Sequence, residues 1–379
     1  MRMFAFSAAL ALTLAGLAPA AAQEPIRIGS SIPITGTTAF FGQHSRWGTE
    51  LAVAEANEAG GLHGRKIEVD FQDNQCNPSV AVTSVSQMLA SKKYAAIFDG
   101  LCSSVVLAIM PLVQRANVPL IVANGSATAI AEQSGVGGND WTFKVNPSDA
   151  SLIEALVGHL EKIGDVDKLA LVGENTDYGR AGVQAFERAL EKRKLKPLMS
   201  TDFYQQGTAD FTTLLSKVRR SAPKAIALYS IGADFQNLIR QYHGANMTIP
   251  LTGRLLTDQV PAEIMASGRL NGSTSVQPYT AEVDIPANKA FVAAFTKMHG
   301  SAPNLLSFEA YETAKVLLDA IKRAGSADPT AIRDALKKTK YPSILGAEIE
   351  FDANNLAHNN AVIITVKDGK VTVEGLSRT

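Results

Sequence analysis

The residues best suited to chemistry in this chain are two cysteines and several Ser, Thr and Asn residues set beside glycines. Cys102 stands in DGLCSSVVLAIMP (Asp99 to Pro111), directly before Ser103 and Ser104, where an apolar run stops and a helical pattern starts. A thiol there can be a nucleophile, a metal ligand or scaffolding around a binding site. A nucleophile needs a base, and no histidine lies close in sequence to Cys102 or to Cys76 in QDNQCNP. A metal site needs ligand spacing, which two isolated cysteines and six scattered histidines do not show. Each cysteine follows a β-like run, and adjacent parallel strands bring their ends together. A bond closing a loop of that length is worth roughly 3.5 kcal/mol in the chain-entropy model.

Ser103 and Ser104 fall where a helix begins. Free amides there carry partial positive charge, and a hydroxyl adds a further donor, so the loop suits a small carboxylate. Taken alone, Ser103 reads first as a helix cap. ANGSATA (Ala123 to Ala129) makes the same offer after the next strand through Asn124, Gly125, Ser126 and Thr128, although alone it reads as an ordinary turn. Two neighbouring loops of one chemistry can converge on one carboxylate. Phe40 and Phe41, in a Gly/Thr-rich loop, supply either core or an apolar wall for a ligand. Tyr178, in NTDYGRA, can press on a ligand from a second domain or pack locally. G-x-S-x-G, G-x-x-x-x-G-K-[ST] and H-E-x-x-H are absent, and GVGG (Gly135 to Gly138) does not follow a strand. No cofactor and no metal are expected.

The elements that position these loops alternate. Strand patterns at Ile26 to Ile32, KIEVDFQD, YAAIFDG and VPLIVAN are separated by helical ones at Ser45 to Ala59, Ser79 to Leu89 and Ser103 to Arg115. A second series follows from Pro147: KLALVGEN, LMSTDFY, AIALYSIG and IPLTGRLL, with helices at Ser148 to Ile163, Gly179 to Arg193, Phe211 to Ser221 and Asp234 to His243. Two such blocks predict two parallel sheets, each covered by helices on both faces. Three late helices, at Ala287 to His299, Ser307 to Ala324 and Pro329 to Thr339, have few strands of their own and should return to the first sheet. The tail strands, with Asp368 and Gly369 as a hairpin turn, should return to the second. The chain then crosses between domains near Val145, Pro278 and Gly346. This predicts lobes of 23–145 plus 278–346 and 146–277 plus 347–379.

The first 22 residues read as a secretory signal: Arg2, an apolar core, then Ala20 and Ala22 before a cut at Gln23. The mature chain is expected to be exported, with no membrane insertion. Two cysteines in an exported chain favour one disulfide. Basic and acidic residues number 36 each, so nothing in the charge points to nucleic acid or an anionic membrane surface.

Several stretches together resemble the leucine/isoleucine/valine-binding family of periplasmic solute receptors, the binding components of ABC importers. They are PITGTTAFFGQHSRWGTELAVAEANEAGGLHGRKIEV, the paired DNQCNP and GLCSS, ANGSATA, NTDYGRAG and FTTLLSKVR. The resemblance covers nearly the whole mature chain. It implies an α/β type I periplasmic binding protein fold, with two doubly wound parallel-sheet domains joined by a three-strand hinge. It also implies a Cys76–Cys102 disulfide and a monomer that docks on an inner-membrane ABC permease. The ligand carboxylate would be held at Ser103, Asn124, Gly125 and Ser126, with Phe41 and Tyr178 lining the cleft. One departure matters. The acidic residue that holds a ligand ammonium in this family matches Leu255 here, beside Arg254, and the family aromatic of the LYSIGAD loop matches Ile231. An ammonium buried without an anion is costly, although Asp234 or Asp258 could replace the missing acid. The expected ligand is an apolar amino acid or an amino-free aromatic or aliphatic acid. An exported α/β hydrolase and a sensing subunit for a membrane receptor are the alternatives.

Overall fold

A computed structural model describes residues 24–164, 167–195 and 198–379. The expected signal segment lies outside the described residues. Strands β1 (Ile26–Ile32), β2 (Ile67–Asp73), β3 (Tyr94–Phe98), β4 (Leu120–Val122) and β5 (Thr142–Lys144) form a parallel sheet in the order β2-β1-β3-β4-β5. Strands β6 (Leu169–Glu174), β7 (Leu198–Tyr204), β8 (Ala225–Tyr229) and β9 (Leu251–Gly253) form a second one, ordered β7-β6-β8-β9. Strands β6 and β8 are buried at every residue, the mark of a sheet covered on both faces.

Helices α1 (Ala39–Glu58), α2 (Pro78–Ser91), α3 (Ser103–Ala116) and the five-residue α4 (Thr128–Glu132) connect the first set. Helices α5 (Asp149–Ile163), α6 (Asp177–Lys192), α7 (Thr212–Ser221) and α8 (Gly232–Gly244) serve the second. Helix starts follow local chemistry. Asn77 accepts hydrogen bonds from the Ser79 and Val80 amides with Pro78 at the first helical position, and Ser148 accepts from Ser151.

Beyond a short helix, α9 (Ala262–Ala266), comes strand β10 (Thr274–Gln277). Helices α10 (Pro286–His299), α11 (Leu305–Ala324) and α12 (Pro329–Leu336) then return to the first sheet, with α11 lying along α1. A two-residue pairing of β11 (Tyr341–Pro342) with β12 (Glu348–Ile349) precedes β13 (Asn360–Lys367) and β14 (Lys370–Arg378). The tail strands stay out of the second parallel sheet. They pair antiparallel with β10 in a separate three-stranded sheet, order β10-β13-β14, and β10 lies against β9 and α5. Asp368 and Gly369 both take positive φ at the β13–β14 turn, as a two-residue hairpin requires.

Two expectations are corrected. Phe40 and Phe41 lie in the first turn of α1, which begins six residues before the periodicity suggests. Gly42 permits this start, because a Cβ there would come within 1.7 Å of the Pro33 carbonyl oxygen. Strands β5 and β10 are not expected from the sequence: TFK and TSVQ are short and mostly polar, unlike the equally short but apolar LIV of β4.

The chain runs from the first sheet to the second after β5, returns after β10 to helices packed with the first sheet, and after β12 goes back to pair with β10. The first and third passages run side by side, with the Lys144 amide donating to Asn355 O and the Ala357 amide donating to Lys144 O. Glu312, buried on α11, fastens the third. It accepts from Ser343 Oγ and the Ile344 amide at 2.7 and 3.0 Å, and from Asn359 Nδ2 at 2.7 Å. Glu312→Ala leaves these donors unpaired and is expected to lower unfolding free energy by about 2 kcal/mol, read from urea titration. Glu312→Gln, which keeps an acceptor, should lose less.

Candidate functional site

A cavity with about 680 Å³ of atom-free space, partly open to solvent, lies between the ends of the two parallel sheets. This is where an open α/β sheet presents its loops and helix starts. From the first sheet it is lined by Phe41, Cys102, Ser103, Asn124 and Ser126, and from the second by Glu174, Tyr178, Ile231 and Arg254. Leu305, Leu306 and Glu309 reach it from the start of α11. The two halves meet around it: a Cβ on Gly232 would come within 3.0 Å of the Thr37 carbonyl oxygen.

Asp99, at the end of β3, organises the first wall. It is fully buried and accepts from Ser45 Oγ, the Leu101 amide and the Asn124 amide at 2.9, 3.0 and 3.2 Å. One carboxylate thus fixes both the β3–α3 and β4–α4 loops. Ser103 Oγ adds a second tie by accepting from the Ala127 amide at 3.2 Å. Cys102 is the cap residue of α3, whose first amides have no side-chain acceptor. Cys76 and Cys102 form a disulfide with Cα atoms 5.6 Å apart, and both line the cavity. The bond holds the end of the β2 strand region against the start of α3.

The electrostatics centre on Arg254, just after β9. Its side chain is only 5% exposed and sits 3.6 Å from Asp149 Oδ1, beyond hydrogen-bond reach. Nε and Nη1 of Arg254 have no hydrogen-bond partner among the described residues, and neither does Asp149 Oδ1. The other Asp149 oxygen accepts from Ser126 Oγ at 3.2 Å. A buried guanidinium so placed is one of the strongest anion-binding groups a protein can build, because planar pairs of N–H donors match a carboxylate.

Two further carboxyls face the cavity. Burial pushes the Glu174 carboxyl up to about 7, against hydrogen bonds from Thr176 Oγ1 and the Ile231 amide at 2.8 and 3.2 Å. Glu309 is raised by burial too, and accepts from Asn124 Nδ2 at 2.7 Å. Neither pairs with a cation among the described salt bridges. Lys144 acts on Glu309 through its charge but forms no ion pair with it. It is buried, which lowers its pKa, and donates to the carbonyls of Asn146 and Pro147 at 2.6 and 3.1 Å, holding the first passage in shape.

Of the residues singled out from the sequence, Phe41, Ser103, Asn124, Ser126, Tyr178, Ile231 and Arg254 line this cavity. Gly125 does not: a Cβ there would press on Val106 and Ile130 at 3.0 and 3.1 Å, so it faces the core. Leu255 is buried away from the cavity, its amide donating to Ser275 Oγ at 3.0 Å. Asp234 is occupied by the Gly207 amide at 2.8 Å. Asp258 lines a neighbouring cavity with Phe40, Trp47, Tyr279 and Glu282. Sequence reasoning missed Glu174, Glu309 and Gln259. Glu174 closes a strand in LVGEN and could have been found by its position. Glu309 lies 185 residues from its partner Asn124 and gave no local signal. No described cluster of three or more His, Cys, Asp or Glu residues is arranged to hold a metal, and no described helix is long and apolar enough to cross a membrane.

The sequence profile described as periplasmic binding protein matches residues 25–370. The leucine-, isoleucine-, valine-, threonine- and alanine-binding protein of Pseudomonas aeruginosa is 24% identical over 338 residues, covering 89% of this chain and 88% of that one. Among solved structures, an R. palustris solute-binding protein in complex with benzoate superposes with a TM-score of 0.83 at 22% identity, covering 93% and 96% of the two chains. A branched-chain amino acid transporter substrate-binding protein of Streptococcus pneumoniae in complex with isoleucine gives 0.82 at 22% identity, covering 94% and 99%.

Proposed function

The chain belongs to the periplasmic binding protein family and so is a binding protein rather than an enzyme, and we propose that it captures a small organic acid for an ABC importer in the inner membrane. The observation that carries this reading is Arg254, a buried guanidinium with unpaired nitrogens on a cavity that also exposes Ser103, Ser126 and the uncapped start of α3. A carboxylate supplies the missing acceptors. Phe41, Leu256, Leu305 and Leu306 offer its apolar body a dry surface. In this reading the chain is exported, its signal removed near Ala22, and it works as a monomer in the periplasm. Ser103, Asn124 and Ser126 hold the ligand from the lobe of 23–145 plus 278–346. Tyr178, Ile231 and Arg254 hold it from the lobe of 146–277 plus 347–379. Contacts from both favour the closed form, with the three passages as hinge, and that form presents itself to a permease.

A second reading, an apolar α-amino acid, is favoured by one observation. Glu174 and Glu309 are carboxyls on the same cavity that form no salt bridge among the described residues, fit to take an ammonium. Thermal-shift titration with matched pairs separates the two: leucine against 4-methylpentanoate, phenylalanine against 3-phenylpropanoate, and benzoate. The acids are expected to raise the transition temperature with the logarithm of their concentration. Stabilisation by the amino acids alone would establish the second reading, and silence from all five would remove both.

A further inference from the structure

Gln259 ends the 3-10 turn Thr257–Gln259 on the loop after β9, and its side chain lines the cavity. It is 7% exposed, yet neither its amide oxygen nor its amide nitrogen has a hydrogen-bond partner among the described residues. Its loop is otherwise well anchored. Gln277 Nε2 donates to Leu255 O at 2.6 Å, and the Gln259 backbone amide donates to Leu256 O at 3.0 Å. An anchored loop that holds one buried amide with both ends free is built for a group that donates and accepts at once.

The order of residues on this loop gives the same answer. Arg254, Leu256 and Gln259 all line the cavity, whereas Leu255 turns into the core and Thr257 lines the neighbouring space. The loop therefore presents charge, then apolar surface, then amide. We infer that the ligand carries, beyond its carboxylate and apolar body, a neutral group that both donates and accepts a hydrogen bond, and that Gln259 selects for it. A hydroxyl and a primary carboxamide share this chemistry. This rests on the carboxylate reading above.

The test is isothermal titration of the full mature chain with benzoates substituted at the 2, 3 or 4 position by methyl, hydroxyl or carboxamide. Methyl fills similar space to hydroxyl without hydrogen bonding. At one ring position the hydroxyl or the carboxamide acid is expected to bind about 10- to 100-fold more tightly than its methyl counterpart, and the tighter of the two identifies the group. Gln259→Leu should abolish that preference and improve binding of the methyl acid. The wild-type series stands alone if the variant does not fold. Acids that bind with no preference at any position would overturn the inference and leave the carboxylate reading in place. No binding by any of these benzoates would overturn the inference, and silence from 4-methylpentanoate and 3-phenylpropanoate as well would overturn the carboxylate reading with it.

Discussion

Arg254→Met is expected to weaken binding of a carboxylate ligand by at least about 30-fold in isothermal titration. Arg254 is buried and the only described cation on the cavity wall, so its charge is screened far less than at the surface. Truncating one partner of a buried, hydrogen-bonded charge pair typically costs about 2–5 kcal/mol, which spans roughly 30-fold to several thousand-fold. The single variant carries a second burden. Asp149, fully buried, would keep only the more distant charge of Lys144, and breaking a buried pair in this way destabilises a fold by up to about 3–5 kcal/mol. The informative variant is therefore Arg254→Met with Asp149→Asn, which removes both charges. It should recover most of the stability in urea titration and none of the affinity. Arg254→Lys should fall between, since an ammonium keeps the charge but loses the planar fork. Wild-type affinity in the double variant would show that the guanidinium only holds Asp149, and would remove the basis for the carboxylate reading.

The contrast between Arg254 and its neighbour shows what a linear reading delivers. The β–α alternation made both sheets legible, because long buried strands such as AIALY and amphipathic helices such as α6 announce their period. The loops at the strand ends followed at once, with Ser103, Ser126 and Tyr178 in them. Which side chain of LTGRLLTDQ enters the cavity did not follow. The short strand β9 ends at Gly253, and the loop beyond it alternates inward and outward by hydrogen bonds to Ser275 and Gln277, on β10. That strand left no periodic trace, so the register of the loop was invisible, and Leu255 was singled out together with Arg254 although only Arg254 lines the cavity. Glu309 was hidden for a related reason. It reads as one polar position on a helix that packs on α1, and only the return of the chain after its second passage brings it to Asn124. Local pattern determines elements; the site is assembled from contacts between elements distant in sequence, and buried charge in it comes from those contacts.

Those late-arriving carboxyls make the two ligand readings separable by pH alone. Glu174, with its carboxyl at about 7 because burial disfavours the charged form, passes from mostly neutral to mostly ionised between pH 6 and 8, and Glu309 is shifted in the same direction. An anionic ligand in the cavity raises both further, so its binding takes up protons. Affinity must then fall as pH rises through 7, by up to about tenfold per pH unit for each carboxyl that titrates. Across two units the loss should approach 100-fold. A ligand ammonium acts in the opposite sense: it favours ionised carboxylates, binding releases protons, and affinity climbs over the same window. Titration in buffers of different ionisation enthalpy reads the sign directly. Glu174→Gln should flatten the profile either way. The ligand-free protein carries the same signature in its stability. The Glu174 carboxyl is raised above its usual 4.5, so its contribution is complete below that value and is lost as pH rises toward 7, by about 1.4 kcal/mol per pH unit. A pH-independent affinity, with proton exchange absent, would place both carboxyls out of reach of the ligand's charge and leave Arg254 and the α3 amides as the whole of its electrostatic recognition.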